Sequence, residues 1–178
     1  MGGTSHKQST QGPLADYAER LMSFFYPVHY QLGMEMEQAM CQGRVDRKQS
    51  AMLWLVYSRS DEQGWARRKD IVRELSSWFE ISEAKVSRML RSLSTPPHEF
   101  LDLAESPDSS RERILRLTAE GVQFVEVMRA EAMAYLTAQV GHLSQNELDW
   151  GLAFLAKAFG PDGDKIGALP PFAPGKST

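Results

Sequence analysis

Residues 68–121 have the sequence RKDIVRELSSWFEISEAKVSRMLRSLSTPPHEFLDLAESPDSSRERILRLTAEG. Apolar residues in its first part recur at three- and four-residue spacing, which predicts a helix over 69–79. After a short break, Ser82 is a good N-cap for a second helix. That helix should end near Ser94, because Pro96 and Pro97 forbid its continuation.

The second part of this stretch predicts a ribbon of two strands. Residues 100–104 alternate apolar and polar, and residues 113–117 do so less strictly. The polar segment 105–112 is expected to form the tip, and a new helix should follow Thr118. This order describes a winged helix-turn-helix, which places one helix in a DNA major groove and a β-wing beside it. The predicted fold class is mostly α with a small β-wing (α+β).

The residues after the ribbon resemble a family signature. The sequence LTAEG at 117–121 is similar to the LT-x-x-G sequence that follows the wing in the MarR family of bacterial transcriptional regulators. Arg111 lies where that family has the arginine of its wing-tip D-x-R motif. The resemblance covers residues 14–159 and implies a DNA-binding regulator, by family default a repressor. Its implied partner is double-stranded DNA with a pseudo-palindromic operator.

Two features depart from the family pattern. The aspartate of the wing motif would fall at Ser109, whereas this chain has Asp108. The Asp–Arg pair that stabilises the wing in the family is therefore either re-registered, with its aspartate at Asp108, or absent. After the second helix of the motif, residues 94–99 (STPPHE) replace a short charged turn with glycine, so we expect a stiffer link.

The formal net charge of −3 at pH 7 does not by itself favour a DNA-binding protein. The cations, however, are concentrated: residues 82–94 and residues 109–116 each contain three Lys or Arg and one acid. Such a local positive footprint is what neutralisation of phosphate requires. An ordinary solvated helix face is the alternative interpretation, and the helix-turn-helix order favours DNA.

The candidate DNA-binding residues lie in three places. The N-terminal half of the second helix should enter the major groove, where Lys85 or Arg88 is suited to guanine O6 and N7. Arg111 is placed to reach into a narrow, A·T-rich minor groove. Arg67 and Arg68 precede the first helix of the motif and can pair with the DNA backbone. The full set is Arg67, Arg68, Ser82, Ala84, Lys85, Ser87, Arg88, Arg91, Arg111 and Arg113.

The segments on either side of the motif predict further helices. Apolar residues over 14–36 give a long amphipathic helix with an aromatic stripe, which Pro27 should kink or divide. Thr118 should cap a long helix, and a capping box at Ser144 should start another that stops at Gly160. These helices could pack within one chain. The family resemblance instead implies that the N- and C-terminal helices of two chains interlock into a homodimer.

A small-molecule effector is a further expectation. The resemblance implies a crevice between the dimer helices and the winged domain that binds small aromatic or lipophilic acids. Aromatic residues with polar groups could line it, and core packing is the alternative role. The candidates are Tyr26, His29 and Tyr30 on the first helix, with Trp54 and Tyr57 on the second. Cys41 invites a redox-sensor role, but the chain has no second cysteine to resolve an oxidised form.

Composition is consistent with one globular unit, since 42% of the 178 residues are hydrophobic and 24% are charged. No run approaches a membrane span and no signal peptide is evident, so we expect a cytoplasmic protein without membrane association. The expected organisation has a flexible tail at 1–12 and an N-terminal dimerisation region at 13–45. A winged DNA-binding domain follows at 46–117, then C-terminal dimerisation helices at 118–160 and a second flexible tail at 161–178.

Catalytic signatures are missing from the sequence. It has no paired carboxylates on a recognisable motif, no Ser/His/Asp or Cys/His arrangement and no phosphate-binding glycine loop. The four histidines are scattered without zinc-site spacing. We therefore expect no enzyme activity, no metal and no cofactor. The functional alternative is a winged-helix protein-interaction module whose basic face is incidental, because a fold alone does not decide function.

Overall fold

The computed structural model describes residues 13–107 and 109–159. The helices of this part are α1 (Pro13–Ser23), α2 (Met34–Cys41), α3 (Arg47–Arg59), α4 (Arg68–Trp78), α5 (Glu83–Leu93), α6 (Ala119–Val140) and α7 (Gln145–Phe159). The strands are β1 (Ala66–Arg67), β2 (Leu101–Ser106) and β3 (Ser109–Leu117). The predicted mostly α fold with a small β-wing is confirmed. The tails that were expected to be flexible, 1–12 and 161–178, lie outside the described residues.

Pro27 divides the N-terminal helical region, as the sequence predicts. Helix α1 ends at Ser23, and a π-helical segment over Pro27–Gly33 leads into α2. The hydroxyl of Tyr135, on α6, lies 2.8 Å from the carbonyl oxygen of Gln31 and 2.8 Å from a carboxylate oxygen of Glu35. These two hydrogen bonds attach the segment and α2 to α6.

Helix α3 lies at the centre of the winged domain and packs against α4, α6 and β3. It begins with a capping box, in which the Asp46 side chain accepts backbone N–H bonds from Lys48 and Gln49 and the Gln49 side chain bonds the backbone of Asp46. Its fully buried side chains are Met52, Leu53, Leu55 and Val56. The core of the protein therefore sits beneath the helix-turn-helix.

The helix-turn-helix consists of α4 and α5. Helix α4 starts and ends one residue earlier than the predicted range of 69–79. The Ser82 hydroxyl accepts the backbone N–H of Lys85 at 3.3 Å, which confirms the predicted N-cap of α5. The residues that α5 buries are Val86, Met89, Leu90 and Leu93. The helix ends directly before Ser94, as the prolines at 96 and 97 require.

The wing is longer, and its tip shorter, than the sequence predicted. Strands β2 and β3 extend to Ser106 and from Ser109, whereas the segment 105–112 was expected to form the tip. This prediction was wrong because residues 105–112 are polar apart from Pro107 and therefore show no apolar alternation. Backbone pairing continues there, and an ion pair of 2.7 Å joins Arg113 to the opposite Glu105.

Strand β1 was not predicted. It adds a third, antiparallel strand to the sheet in the order β1-β3-β2, with Ala66 opposite Leu115 and Arg67 opposite Ile114. A strand of two residues is too short to give an alternating pattern in the sequence. Its pairing with β3 places the start of α4 beside the wing.

The LT-x-x-G residues join the base of the wing to α6. The Thr118 hydroxyl donates to the carbonyl oxygen of Glu99 at 2.7 Å and accepts the N–H of Gly121 at 3.0 Å, which confirms the predicted cap of α6. Gly121 packs directly on the backbone carbonyl group of Phe100. The ring of Phe100 stacks on that of Phe124 with centroids 4.6 Å apart. The LT-x-x-G residues therefore pack the start of α6 against the base of the wing.

Candidate nucleic-acid interface

Helix α5 presents a polar, basic face to solvent. The six proposed DNA-binding residues of α5 and its N-cap are exposed, while the apolar residues of the helix are buried in the core. They are Ser82, Ala84, Lys85, Ser87, Arg88 and Arg91. Within the described parts of the chain, no acidic residue forms an ion pair with Lys85, Arg88 or Arg91. These cations are therefore available to an external anion.

The start of α4 lies beside this basic face. Nη2 of Arg68 lies 3.4 Å from the Oγ of Ser87 on α5. Arg68 is the first residue of α4, and Arg67 is the N-cap within β1, so only Arg67 precedes the helix as the sequence predicted. The structure thus brings Arg68 and α5 together.

Arg111 lies near the outer end of the wing, on β3, and is exposed. An open surface groove of about 330 Å³ runs between this part of the wing and the start of α4. It is lined by Arg68, Lys69, Ser109, Arg111, Glu112 and Arg113. No described acidic residue pairs with Arg111, and Asp108, the acid that a re-registered wing pair would use, lies outside the described residues.

Arg113 differs from Arg111 because its charge is partly neutralised. Its Nη1 lies 2.7 Å from Oε1 of Glu105, and the two side chains are 53% and 58% exposed. An ion pair with this exposure contributes roughly 0–1 kcal/mol. A phosphate can therefore compete with Glu105 for Arg113 at small cost.

Sequence reasoning missed Lys69 and Glu112. Nζ of Lys69 lies 2.7 Å from Oε1 of Glu112, and Nε of Arg67 lies 3.9 Å from the same oxygen. The contact with the Lys69 ammonium group, together with the charge of Arg67, holds the pKa of the Glu112 carboxyl below its usual range against the effect of partial burial. Glu112 is therefore ionised at neutral pH. The partners are far apart in the chain, so no local pattern indicates their contact.

The proposed ligand-lining residues form two separate sets. Tyr26 and Tyr30 stack with centroids 5.7 Å apart, and His29 contacts Tyr30 edge-on at 4.7 Å. Tyr26 and Tyr30 are 63% and 50% exposed. Trp54 and Tyr57 lie 5.9 Å apart and pack, partly buried, against the core of the winged domain. Among the described residues, no ring contact connects the two sets.

Cys41 is buried at the end of α2, with 3% of its surface exposed. Burial raises the pKa of its thiol above the ordinary value, and a hydrogen bond with Ser50 opposes that shift in part. A protonated, enclosed thiol is a weak nucleophile. This environment favours a packing role for Cys41 over a redox role.

Large apolar side chains are exposed on α1, the π-helical segment and α7. Both α1 and α7 pack only sparsely against the rest of the described chain. The side chains exposed by half or more in these elements and in the link between α1 and the π-helical segment are Tyr17, Leu21, Met22, Phe24, Tyr26, Val28, Tyr30, Trp150, Leu152, Phe154 and Leu155. Exposed apolar side chains in such number are typical of an interface. None of the described helices is both long enough and apolar enough to cross a membrane.

Comparison with known proteins gives matches among solved structures. No protein-family model and no curated protein sequence matches the chain. MepR, a transcription regulator of the Staphylococcus aureus multidrug efflux pump MepA, is 21% identical and superposes with a TM-score of 0.58 over 80% of this chain and 94% of MepR. A mutant of S. aureus MepR bound to an oligodeoxyribonucleotide is 21% identical, with a TM-score of 0.53 over 81% of this chain and 94% of that chain.

A MarR-family transcription regulator matches with a TM-score of 0.62 at 19% identity. The match covers 82% of this chain and 90% of that regulator. The similarity includes the elements on both sides of the winged domain as well as the domain itself, since it extends over most of each chain. The chain therefore has the winged helix-turn-helix fold of the MarR-family transcription regulators.

Proposed function

We propose that this protein is a dimeric, sequence-specific DNA-binding transcription regulator, which acts as a repressor and responds to a small ligand. The observation that carries the proposal is the exposed basic face of α5, with Lys85, Arg88 and Arg91 unpaired among the described residues. The exposed Arg111 on the wing extends this positive surface to a second element. Together they match the two parts of a winged helix that contact DNA.

In this proposal α5 enters the major groove, which is wide enough to admit a helix. Lys85 and Arg88 then face the base edges, and Arg91, one turn further along, faces phosphate. Arg68 binds the DNA backbone beside the groove, supported by its contact with Ser87. The wing places Arg111 at the adjacent minor groove, where a narrow, A·T-rich width favours arginine.

A second copy of the chain covers the apolar surfaces of α1 and α7. Side chains such as Leu21 and Trp150 are 57% and 79% exposed in the single protomer, and burial against a partner removes that surface from water. A two-fold dimer carries two recognition helices. It therefore requires an operator with two half-sites, centred about 10 bp apart on one face of the DNA.

The proposal also includes repression and a response to a ligand. A regulator bound at a promoter would block transcription by occupying that promoter. The exposed rings of Tyr26, His29 and Tyr30 offer apolar walls with polar groups, which suit a small aromatic or lipophilic acid. Because Tyr135 hydrogen-bonds Gln31 in the same segment, a ligand there would lie beside a contact that attaches the segment to α6.

Selection of bound sequences from a pool of random duplexes tests the proposed function. We expect a pseudo-palindromic site to be enriched. The affinity for that site should fall steeply as salt rises, because several phosphates are neutralised. The absence of an enriched sequence, together with a shallow salt dependence, would favour a protein-interaction module instead. Sedimentation of the same sample measures whether the bound species is a dimer.

Arg88→Ala separates base recognition from general affinity. If Arg88 contacts a guanine, the variant should lose roughly 1–3 kcal/mol on the selected site and relax the preference at one position. Binding to random-sequence DNA should change little. A competition assay on the selected site and on single-base variants measures both effects. Equal weakening on every sequence would instead assign Arg88 to phosphate.

Arg111→Ala tests the wing. Loss of a minor-groove arginine should weaken binding to the selected site by more than about 1 kcal/mol and lower the magnitude of the salt slope by about one. Arg73→Ala is a suitable control, because Arg73 is exposed on α4 and forms an ion pair with Asp70. An unchanged footprint and salt slope for Arg111→Ala would show that α5 binds DNA without the wing.

A further inference from the structure

Glu112 is the one acidic residue among the described residues that line the groove between the wing and the start of α4. The other charged residues of this lining are Arg68, Lys69, Arg111 and Arg113. A carboxylate repels phosphate, so its presence in a phosphate-binding groove opposes binding. Glu112 therefore has a role other than direct contact with DNA.

The carboxylate lies behind the cations that it contacts. The Glu112 side chain is 17% exposed, whereas those of Lys69 and Arg67 are 63% and 58% exposed. Nζ of Lys69 is 2.7 Å from Oε1 of Glu112, and Nε of Arg67 is 3.9 Å from it. Glu112 is thus positioned to neutralise two cations from the side that faces away from solvent.

We propose that Glu112 is an internal counter-ion that lowers the affinity of the wing groove for DNA phosphate by neutralising Lys69 and, at longer range, Arg67. This inference rests on the DNA-binding function proposed above. A phosphate that approaches Lys69 must share the ammonium group with Glu112, so it gains less and releases fewer counterions. Phosphate contacts carry no sequence information. The counter-ion therefore restrains binding to all sequences and leaves base preference intact.

Glu112→Gln removes the charge and keeps the size of the side chain and one oxygen that can accept from Lys69. The variant should bind DNA roughly threefold to tenfold more tightly at low salt, with a salt slope steeper by about one. The gain should be similar on the selected site and on random-sequence duplex. It should shrink about threefold when the salt concentration is raised fourfold. Fluorescence anisotropy of the full chain on both duplexes, over a salt series, measures these quantities.

A role in positioning the wing predicts the opposite result, because loosening the wing would weaken binding. Weaker binding by Glu112→Gln would therefore overturn the proposal. Glu126→Gln is the matched control: Glu126 is exposed on α6 and its loss changes the net charge equally. An equal gain in this control would assign the effect to net charge and would also overturn the proposal.

Lys69→Gln connects the effect to the ion pair. In the natural chain this change should alter the salt slope by less than about half a unit, whereas in the Glu112→Gln background it should remove most of the gain. A gain that persists in the double variant would overturn the role of Lys69. If Glu112→Gln does not fold, Lys69→Gln in the natural chain tests the proposal by itself. A salt slope that this variant lowers by a full unit would overturn the proposal.

Failure of the natural chain to bind DNA would overturn the proposed function as well. Unchanged binding by Glu112→Gln would overturn only the counter-ion role of Glu112.

Discussion

Gly121→Ala is expected to destabilise the protein by roughly 2–3 kcal/mol. A methyl group at this position would lie 3.0 Å from the carbonyl carbon of Phe100, closer still to its oxygen, and 3.2 Å from Cδ2 of Leu117. The obstacle is backbone, which cannot rotate away as a side chain can. Alanine would otherwise gain about 1 kcal/mol of helix propensity. Displacing the backbone of Phe100 costs more free energy than that gain, so the net effect is a loss of stability.

Gly151→Ala provides the matched control. Gly151 is also helical, but within the protomer a methyl group there meets no heavy atom within 4 Å. This variant should be as stable as the natural chain or up to about 1 kcal/mol more stable. Urea denaturation at one fixed protein concentration compares the two, because the stability of a dimer depends on concentration. Equal stability of Gly121→Ala and the natural chain would contradict the packing that the structure shows.

The contact between Gly121 and Phe100 belongs to a larger cluster of residues at the base of the wing. Arg44 lies over the rings of Phe100 and Phe124, at 4.8 and 5.2 Å from their centroids, and pairs with Glu120 at 3.0 Å. The loop after α2, the base of the wing and the start of α6 therefore meet at one point. A shift of Phe100 would disturb all three.

The parts of the fold that were predictable have local signals. Ser82 and Thr118 are recognisable caps, and the structure shows their hydroxyls accepting the backbone N–H groups that such caps accept. Ser144 is a third case, since its N–H and hydroxyl both donate to Glu147. Pro27 and Pro96 mark helix limits because of the geometry of proline itself. These rules act within a few residues and need no knowledge of the tertiary structure.

The parts that were not predictable depend on contacts between distant residues. Strand β1 exists because Ala66 and Arg67 pair with β3, and nothing in the two residues themselves indicates a strand. Trp54 and Tyr57 have helical spacing, which is equally compatible with lining a crevice and with packing on a core. The structure packs both against the core of the winged domain.

The residues of the candidate site likewise divide into those that a local sequence pattern predicts and those that depend on contacts between distant residues. The basic positions of α5 followed from the helical period, since Lys85, Arg88 and Arg91 fall opposite the buried residues. A count of charges could not show that Lys69 is paired with Glu112 while Arg111 has no partner among the described residues. Equal formal charges in the sequence therefore correspond to cations of unequal availability to phosphate.

Replacing Leu21 and Phe25 together with glutamate is expected to abolish the dimer and, with it, tight operator binding. The two side chains are 57% and 49% exposed in the protomer, so the change should leave the protomer fold intact. In a dimer interface, each buried and unpaired carboxylate would cost several kcal/mol. The loss of the second recognition helix would then reduce operator affinity by a factor of about 10²–10⁴, because the two half-sites are no longer bound together.

Sedimentation velocity and anisotropy on the selected operator measure the two losses. The natural chain should sediment as a dimer, at twice its mass of 20.0 kDa, and the double variant as a monomer. Arg20→Glu is the control, because it places an acidic group on the same helix at a residue that is already charged and exposed. A double variant that remains dimeric would show that the apolar surface around Leu21 and Phe25 is not the interface. A monomer that keeps full operator affinity would show that one winged domain suffices, and the two half-sites of the proposal would then have no basis.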